Sequence, residues 1–166
     1  MTNPGRNQAA MRNRAAAKAE PTPRSDFRFV HRLRVRWSEV DAQGIVFNPN
    51  YFVYGDVGFT EYMREVGLAY PQDLHAAGCD LFTVAAAAQF RDSARYDDEL
   101  AIAVRTAEIG RTSLRFEMHV YRDDALLVAI ELTYVNARRE SRRAEPVPNA
   151  FIERIVAFEQ TAPARR

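Results

Sequence analysis

Cysteine is almost absent from this chain: Cys79 is the only one. No intrachain disulfide can form, which fits a reducing, cytoplasmic setting. A nucleophilic thiol needs a nearby base, and none can be assigned to Cys79 from the sequence, so it is read as structural. Lysine is equally scarce. Lys18 stands alone, and arginine carries nearly all of the positive charge. The formal net charge of +1 leaves no electrostatic case for nucleic acid or an acidic membrane surface as partner. No stretch approaches the roughly 20 apolar residues of a membrane helix, and the N-terminus has no apolar signal core. The three histidines, His31, His75 and His119, have no metal-ligand spacing. The seven glycines are scattered and build no phosphate loop. No cofactor is expected.

What is present suits one domain and a tail: 166 residues, 47% of them hydrophobic. Residues 1–25 carry Arg6, Arg12, Arg14, Lys18 and Arg24 against Glu20, with Pro4, Pro21 and Pro23 and no periodicity. They read as a disordered basic tail, leaving 26–166 as the folded domain. From Phe27 to Trp37 apolar side chains and His31 alternate with arginines, the period of a half-buried strand. Asn48 and Pro49 then mark a helix start, as N-cap and first helical residue. The helix runs to Val66 and is apolar around most of its circumference, so burial on most sides is expected. Gly67 is its C-terminal cap. Gly55 and Gly58 weaken it by ~1 kcal/mol each, which close approach of a sheet would offset. Four strands follow: Leu81–Phe90, Glu99–Ile109, Leu114–Tyr121 and Leu126–Ala137. Turns at Gly110–Thr112 and Arg122–Ala125 join the last three, and a short helix over Pro148–Phe158 ends the domain. The expected fold is α+β: an antiparallel sheet of about five strands curled around one long helix.

One segment concentrates the chemistry. Asp41 sits in a loop after a strand, with Gly44 for a bend, the apolar Ile45-Val46-Phe47, and then the Asn48-Pro49 helix start. A carboxylate facing a helix N-terminus can attack a polarised carbonyl or activate water against it, while free N–H groups meet the oxyanion. Asp is also common in loops for local hydrogen bonding alone.

Asp41, Gly44, Ile45-Val46-Phe47, Pro49, Asn50 and Tyr51 resemble the signature of the hotdog-fold acyl-CoA thioesterases, in the 4-hydroxybenzoyl-CoA thioesterase-like branch. Ala94-Arg95-Tyr96-Asp97-Asp98-Glu99-Leu100 and Pro146-Val147-Pro148 resemble two further stretches of that family, so the likeness spans about residues 27–158. It implies Asp41 as the catalytic carboxylate and the main-chain N–H of Asn48 as oxyanion donor. Many members carry His where this chain has Asn48, which leaves the subgroup and acyl specificity open. The resemblance also implies an acyl-CoA or acyl-carrier-protein substrate, and a homo-oligomer, dimer or dimer of dimers, paired edge to edge with sites at the interface.

The substrate-binding candidates are Gly44, Val46, Phe47, Pro49 and Tyr51 around the loop, with Tyr51 equally at home in the core. Asp56 lies in an otherwise apolar helix, where an unpaired buried acid is costly. It is expected to pair with a sheet arginine or to bond a polar group of the acyl moiety. Arg111 in a turn, and Arg138, Arg139, Arg142 and Arg143 ahead of Pro146, are candidates for the phosphates of CoA. Two other functions fit less well: a hotdog-fold hydratase or dehydratase, and a non-catalytic thioester-binding or scaffold module.

Overall fold

A computed structural model describes residues 20–166. The chain forms β1 (Phe29–Arg34), α1 (Asn50–Glu65), α2 (Gln72–Ala76), β2 (Cys79–Phe90), β3 (Glu99–Ile109), β4 (Ser113–Arg122), β5 (Ala125–Arg138), α3 (Asn149–Phe158) and β6 (Ala164–Arg165). Five strands make an antiparallel sheet in the order β1-β3-β4-β5-β2, and β6 adds a short parallel pairing to β3. The four later strands lie where the alternation predicts them, to within two residues. A two-residue turn, Asp123–Asp124, joins β4 to β5, and Asp123 has a left-handed φ of 53°.

One face of the sheet carries Leu100, Ile102, Val104, Leu114, Phe116, Met118, Ile130 and Leu132, all buried in a single cluster with α1. Gly58 is the point of closest approach. A Cβ there would lie 2.8 Å from the Ile102 Cγ2, and one at Gly55 would lie 3.1 Å from the Met118 sulfur. Gly67 ends α1 with φ +81°. Its N–H bonds the Arg64 carbonyl and the Leu68 N–H bonds that of Met63, the paired closure of a Schellman cap. At the far end of α1, Glu159 takes the Tyr62 hydroxyl at 2.6 Å and the Thr106 N–H at 2.5 Å, tying the end of α3 to β3. Burial pushes the Glu159 carboxyl above its ordinary range.

Four features depart from expectation. The first strand is shorter than Phe27–Trp37: its regular pairing stops at Arg34, and Trp37 opens a 3-10 turn with 74% of its surface exposed. Phe27 packs on the opposite face of the sheet, with Ala101, Ala103 and Tyr121. Residues 1–19 of the expected tail lie outside the described residues, but Thr22 and Arg24 contact the outer face of the sheet. Thr22 donates to Glu117 at 2.7 Å, and the Arg24 guanidinium lies 4.6 Å over the Tyr121 ring. The charged outer face of the sheet thus gives polar side chains a partner, which composition does not reveal. Finally, α1 is not buried on most sides in the single chain. Val53 is 53% exposed and Asp56 is exposed, because no element among the described residues covers that flank.

Two outcomes follow from this packing. Gly58→Ala should destabilise by about 1–3 kcal/mol in urea unfolding, through overpacking against Ile102. His119 is buried under the Phe27 ring on the outer face. Burial lowers its pKa to about 4, with Arg91 and Arg105 adding to the shift and Glu117 opposing it. The fold therefore prefers neutral His119. Its contribution is intact above the unfolded value near 6.5 and is lost as pH falls from there toward 4. Comparing wild type with His119→Gln at pH 7.5 and pH 4.5 should show the variant losing less stability on acidification.

Candidate active site

Asp41 opens a three-residue hairpin loop. The Val40–Val46 bridge sits beneath it, the Asp41 N–H bonds the Ile45 carbonyl at 2.9 Å, and the Gly44 N–H bonds the Asp41 carbonyl at 2.9 Å. Gly44 takes φ +74°, the left-handed position that closes loops of this length. The Asp41 Oδ1 accepts the Gln43 N–H at 2.7 Å. That bond orients the carboxylate, and Oδ2 has no partner among the described residues.

The loop is fastened on two sides. The Val46 N–H bonds the Ala94 carbonyl at 2.9 Å, and the Phe47 N–H bonds the Glu39 carbonyl at 2.9 Å. Val46 itself is fully buried. The Asn50 Nδ2 also reaches the Glu39 carbonyl, at 2.8 Å, and the Tyr54 hydroxyl reaches the Glu39 carboxylate at 2.8 Å. Farther along, the Asn50 N–H bonds Phe47 and the Tyr51 N–H bonds Asn48. Pro49 has no N–H. Among the described residues, the Asn48 N–H alone in the stretch Val46–Tyr51 has no acceptor.

Asn48 does not cap the helix with its side chain. The helix begins at Asn50, Pro49 is already in the right-handed helical region, and no side-chain cap bond forms. Asn50 takes up the loop instead, because its amide faces the Glu39 carbonyl. Gly44, Phe47, Asn48 and Pro49 are exposed around the loop. Tyr51 is buried: its hydroxyl accepts the Ala94 N–H at 2.8 Å, and its ring packs edge-on against Tyr54 and Phe90. Val46 and Tyr51 thus anchor the loop from below.

Asp56 has no arginine partner among the described residues, in contrast to the expected buried pair. It lies on the open flank of α1, and its carboxyl is raised by partial burial, with the Tyr134 hydroxyl opposing the shift. The candidate phosphate-binding arginines fall elsewhere. Phe90 pairs with Val128 at the Asp41 end of β2, whereas Cys79 pairs with Arg138 at the other end. At ~3.3 Å per residue that separation is about 33 Å. Arg138, Arg139 and Arg142 line a 760 Å³ cavity there with Gly78, Asp80, Phe82, Glu140 and Ser141. Arg142 stacks 4.1 Å over the Phe82 ring, and Arg138 pairs with Glu145. The Arg143 carbonyl accepts the Arg138 N–H, and the Arg111 carbonyl accepts the Val147 N–H. Within one chain these arginines and Asp41 are not brought together.

The model of the thioesterase-like superfamily matches residues 35–155, from the residue after β1 to within α3. This chain belongs to that superfamily. Its fold is that of the hotdog thioesterases. A putative esterase of Aquifex aeolicus is 30% identical over 96 residues, covering 58% of this chain and 74% of that protein. A 1,4-dihydroxy-2-naphthoyl-CoA thioesterase from Synechocystis is 17% identical, covers 76% of this chain and 98% of its own, and superposes with a TM-score of 0.70. A gentisyl-coenzyme A thioesterase is 24% identical, covers 76% and 99%, and has a TM-score of 0.69. No helix among the described residues is long and apolar enough to cross a membrane.

Sequence reasoning did not single out Glu39 and Tyr54, and it took Asn50 as a signature residue without a role. The available signal was an acid two residues before Asp41 and a tyrosine one turn into the helix. Neither pattern says that they meet. Tyr51→Phe should leave the Ala94 N–H buried without an acceptor and cost about 1–3 kcal/mol, read as a lowered urea midpoint.

Proposed function

We propose that this protein hydrolyses an acyl-CoA thioester to a free carboxylic acid and CoA, with Asp41 as nucleophile or general base. The observation that carries the reading is the unpartnered N–H of Asn48 beside a hairpin that presents a free carboxylate oxygen. A thioester carbonyl accepting that N–H would direct its carbon toward Asp41. Attack builds a tetrahedral oxyanion, which the Asn48 N–H and the positive end of the α1 dipole stabilise. Collapse expels the CoA thiolate. With Asp41 as nucleophile, water then cleaves the acyl-aspartyl anhydride. With Asp41 as base, water attacks directly and Asp41 takes its proton. Both routes use the same donor. Superfamily membership and the two CoA thioesterases of like fold support the reaction class.

The substrate's nucleotide would be held by a second copy of the chain. β2 is an edge strand with Val84 and Phe90 exposed. Pairing β2 antiparallel with its copy would bring the Arg138–Arg143 loop of one protomer toward the Asp41 end of the other, and would also cover an open edge. Arginine suits the phosphates of CoA. Asp56, on the uncovered flank of α1, would meet a polar group of the acyl chain. A hydroxyaryl acyl group is consistent with the substrates in the names of the two thioesterases. A carrier protein presenting the same thioester would leave the Asp41 chemistry unchanged.

The test is free-thiol release from aryl-, short- and long-chain acyl-CoA esters by wild type, Asp41→Asn and Asp41→Ala. The expected result is wild-type turnover that drops at least about 10³-fold in both variants, each still folded. Full activity in the variants removes Asp41 from the mechanism. Thioester binding without turnover in wild type would favour the binding-module reading. Arg139→Ala with Arg142→Ala should raise KM severalfold with kcat little changed.

A further inference from the structure

We infer that Glu39 is a positioning residue for the thioester site, holding the Asp41 hairpin and the first turns of α1 at a fixed separation. The inference rests on the reading of Asp41 and Asn48 given above. Four hydrogen bonds converge on this residue. Its carboxylate Oε2 accepts the Arg36 N–H at 2.8 Å and the Tyr54 hydroxyl at 2.8 Å. Its main-chain carbonyl accepts the Phe47 N–H at 2.9 Å and the Asn50 Nδ2 at 2.8 Å. The Glu39 side chain is 15% exposed, and Tyr54 is buried. One residue therefore ties together the 3-10 turn before the hairpin, the segment after it, and two successive turns of α1.

The placement of these bonds bears on catalysis. Phe47 immediately precedes the free N–H of Asn48, so the Glu39 carbonyl orients the peptide plane next to the oxyanion donor. Asp41 lies two residues beyond Glu39, at the mouth of the hairpin that Glu39 anchors. The Tyr54 hydroxyl stays protonated, since burial and the Glu39 carboxylate both raise its pKa. It is thus a permanent donor to that carboxylate. With both oxygens of Glu39 turned to protein donors, including the Arg36 guanidinium at 3.7 Å, Glu39 acts through Asp41 and Asn48. Displacing a reacting group by ~1 Å can cost about 10²-fold in rate, which sets the scale of the effect.

The experiment compares Glu39→Ala, Glu39→Gln and Tyr54→Phe with wild type and Asp41→Asn, on a thioester that wild type turns over. Glu39→Ala should lower kcat about 10- to 100-fold with KM within about twofold. Glu39→Gln should recover most of it, because an amide oxygen still accepts from Tyr54 and Arg36. Tyr54→Phe should lower kcat less, and the Glu39→Ala/Tyr54→Phe double variant should be no worse than Glu39→Ala alone. The acidic limb of the kcat/KM profile should not move. Amide exchange at Asp41, Gly44 and Phe47 should quicken in Glu39→Ala, a readout independent of turnover. Unchanged kcat with unchanged exchange overturns the inference. So does a rise in KM alone, or a Glu39→Gln variant as inactive as Glu39→Ala with a shifted acidic limb, which would make Glu39 a proton carrier. If Glu39→Ala does not fold, Glu39→Gln and Tyr54→Phe carry the same contrast. Wild-type activity in Asp41→Asn would instead overturn the thioester reading, and this one with it. Loss in Asp41→Asn without loss in Glu39→Ala would overturn the positioning role alone.

Discussion

The main-chain bonds from Val46 to Ala94 and from Phe47 to Glu39 constrain everything around the Asp41 loop. Each uses an N–H that would otherwise compete for a ligand. Pro49 has none, and Asn50 and Tyr51 turn theirs back into the first turn of α1. Among the described residues, what remains in this stretch is one donor without an acceptor, at Asn48, on the approach to a helix N-terminus. Buried Val46 holds the loop down, and the Tyr51 hydroxyl holds the neighbouring Ala94 turn. Main-chain hydrogen bonds fasten the loop on both sides.

That junction depends in turn on how closely α1 lies against the sheet. Gly55 and Gly58 let the helix settle onto Met118, Ile102 and Val104. The same docking places Tyr54 within reach of Glu39 and Tyr51 within reach of Ala94. It leaves the flank with Val53 and Asp56 exposed. The arginine-lined cavity lies about 33 Å away by strand length.

The outer face of the sheet is built on a different principle. Arg105, Arg115, Glu117 and Glu131 form a charged band across β3, β4 and β5, and Thr22, Arg24 and Phe27 lie across it. The segment that covers this face precedes the residues that the superfamily model matches, 35–155. It shields His119 and makes its neutral form part of the folded state.

Local pattern determined much of this protein. The period-two runs located the four later strands, the glycine pair anticipated the close helix–sheet contact, and Gly67 marked the end of α1. The spacing from Asp41 to Tyr51 marked the loop that leads into α1, because a tight bend, a proline and a helix start are short-range features. Pairing and burial were decided only in three dimensions. Whether Phe27 joined one face or the other depended on where β1 left the sheet. Whether Asp56 was paired depended on which flank of α1 stayed uncovered. Glu39, Asn50 and Tyr54 became one cluster, and Arg138 fell far from Asp41, because those outcomes are set by strand order and helix docking. Hydrogen bonds between residues distant in the chain leave no period in the sequence.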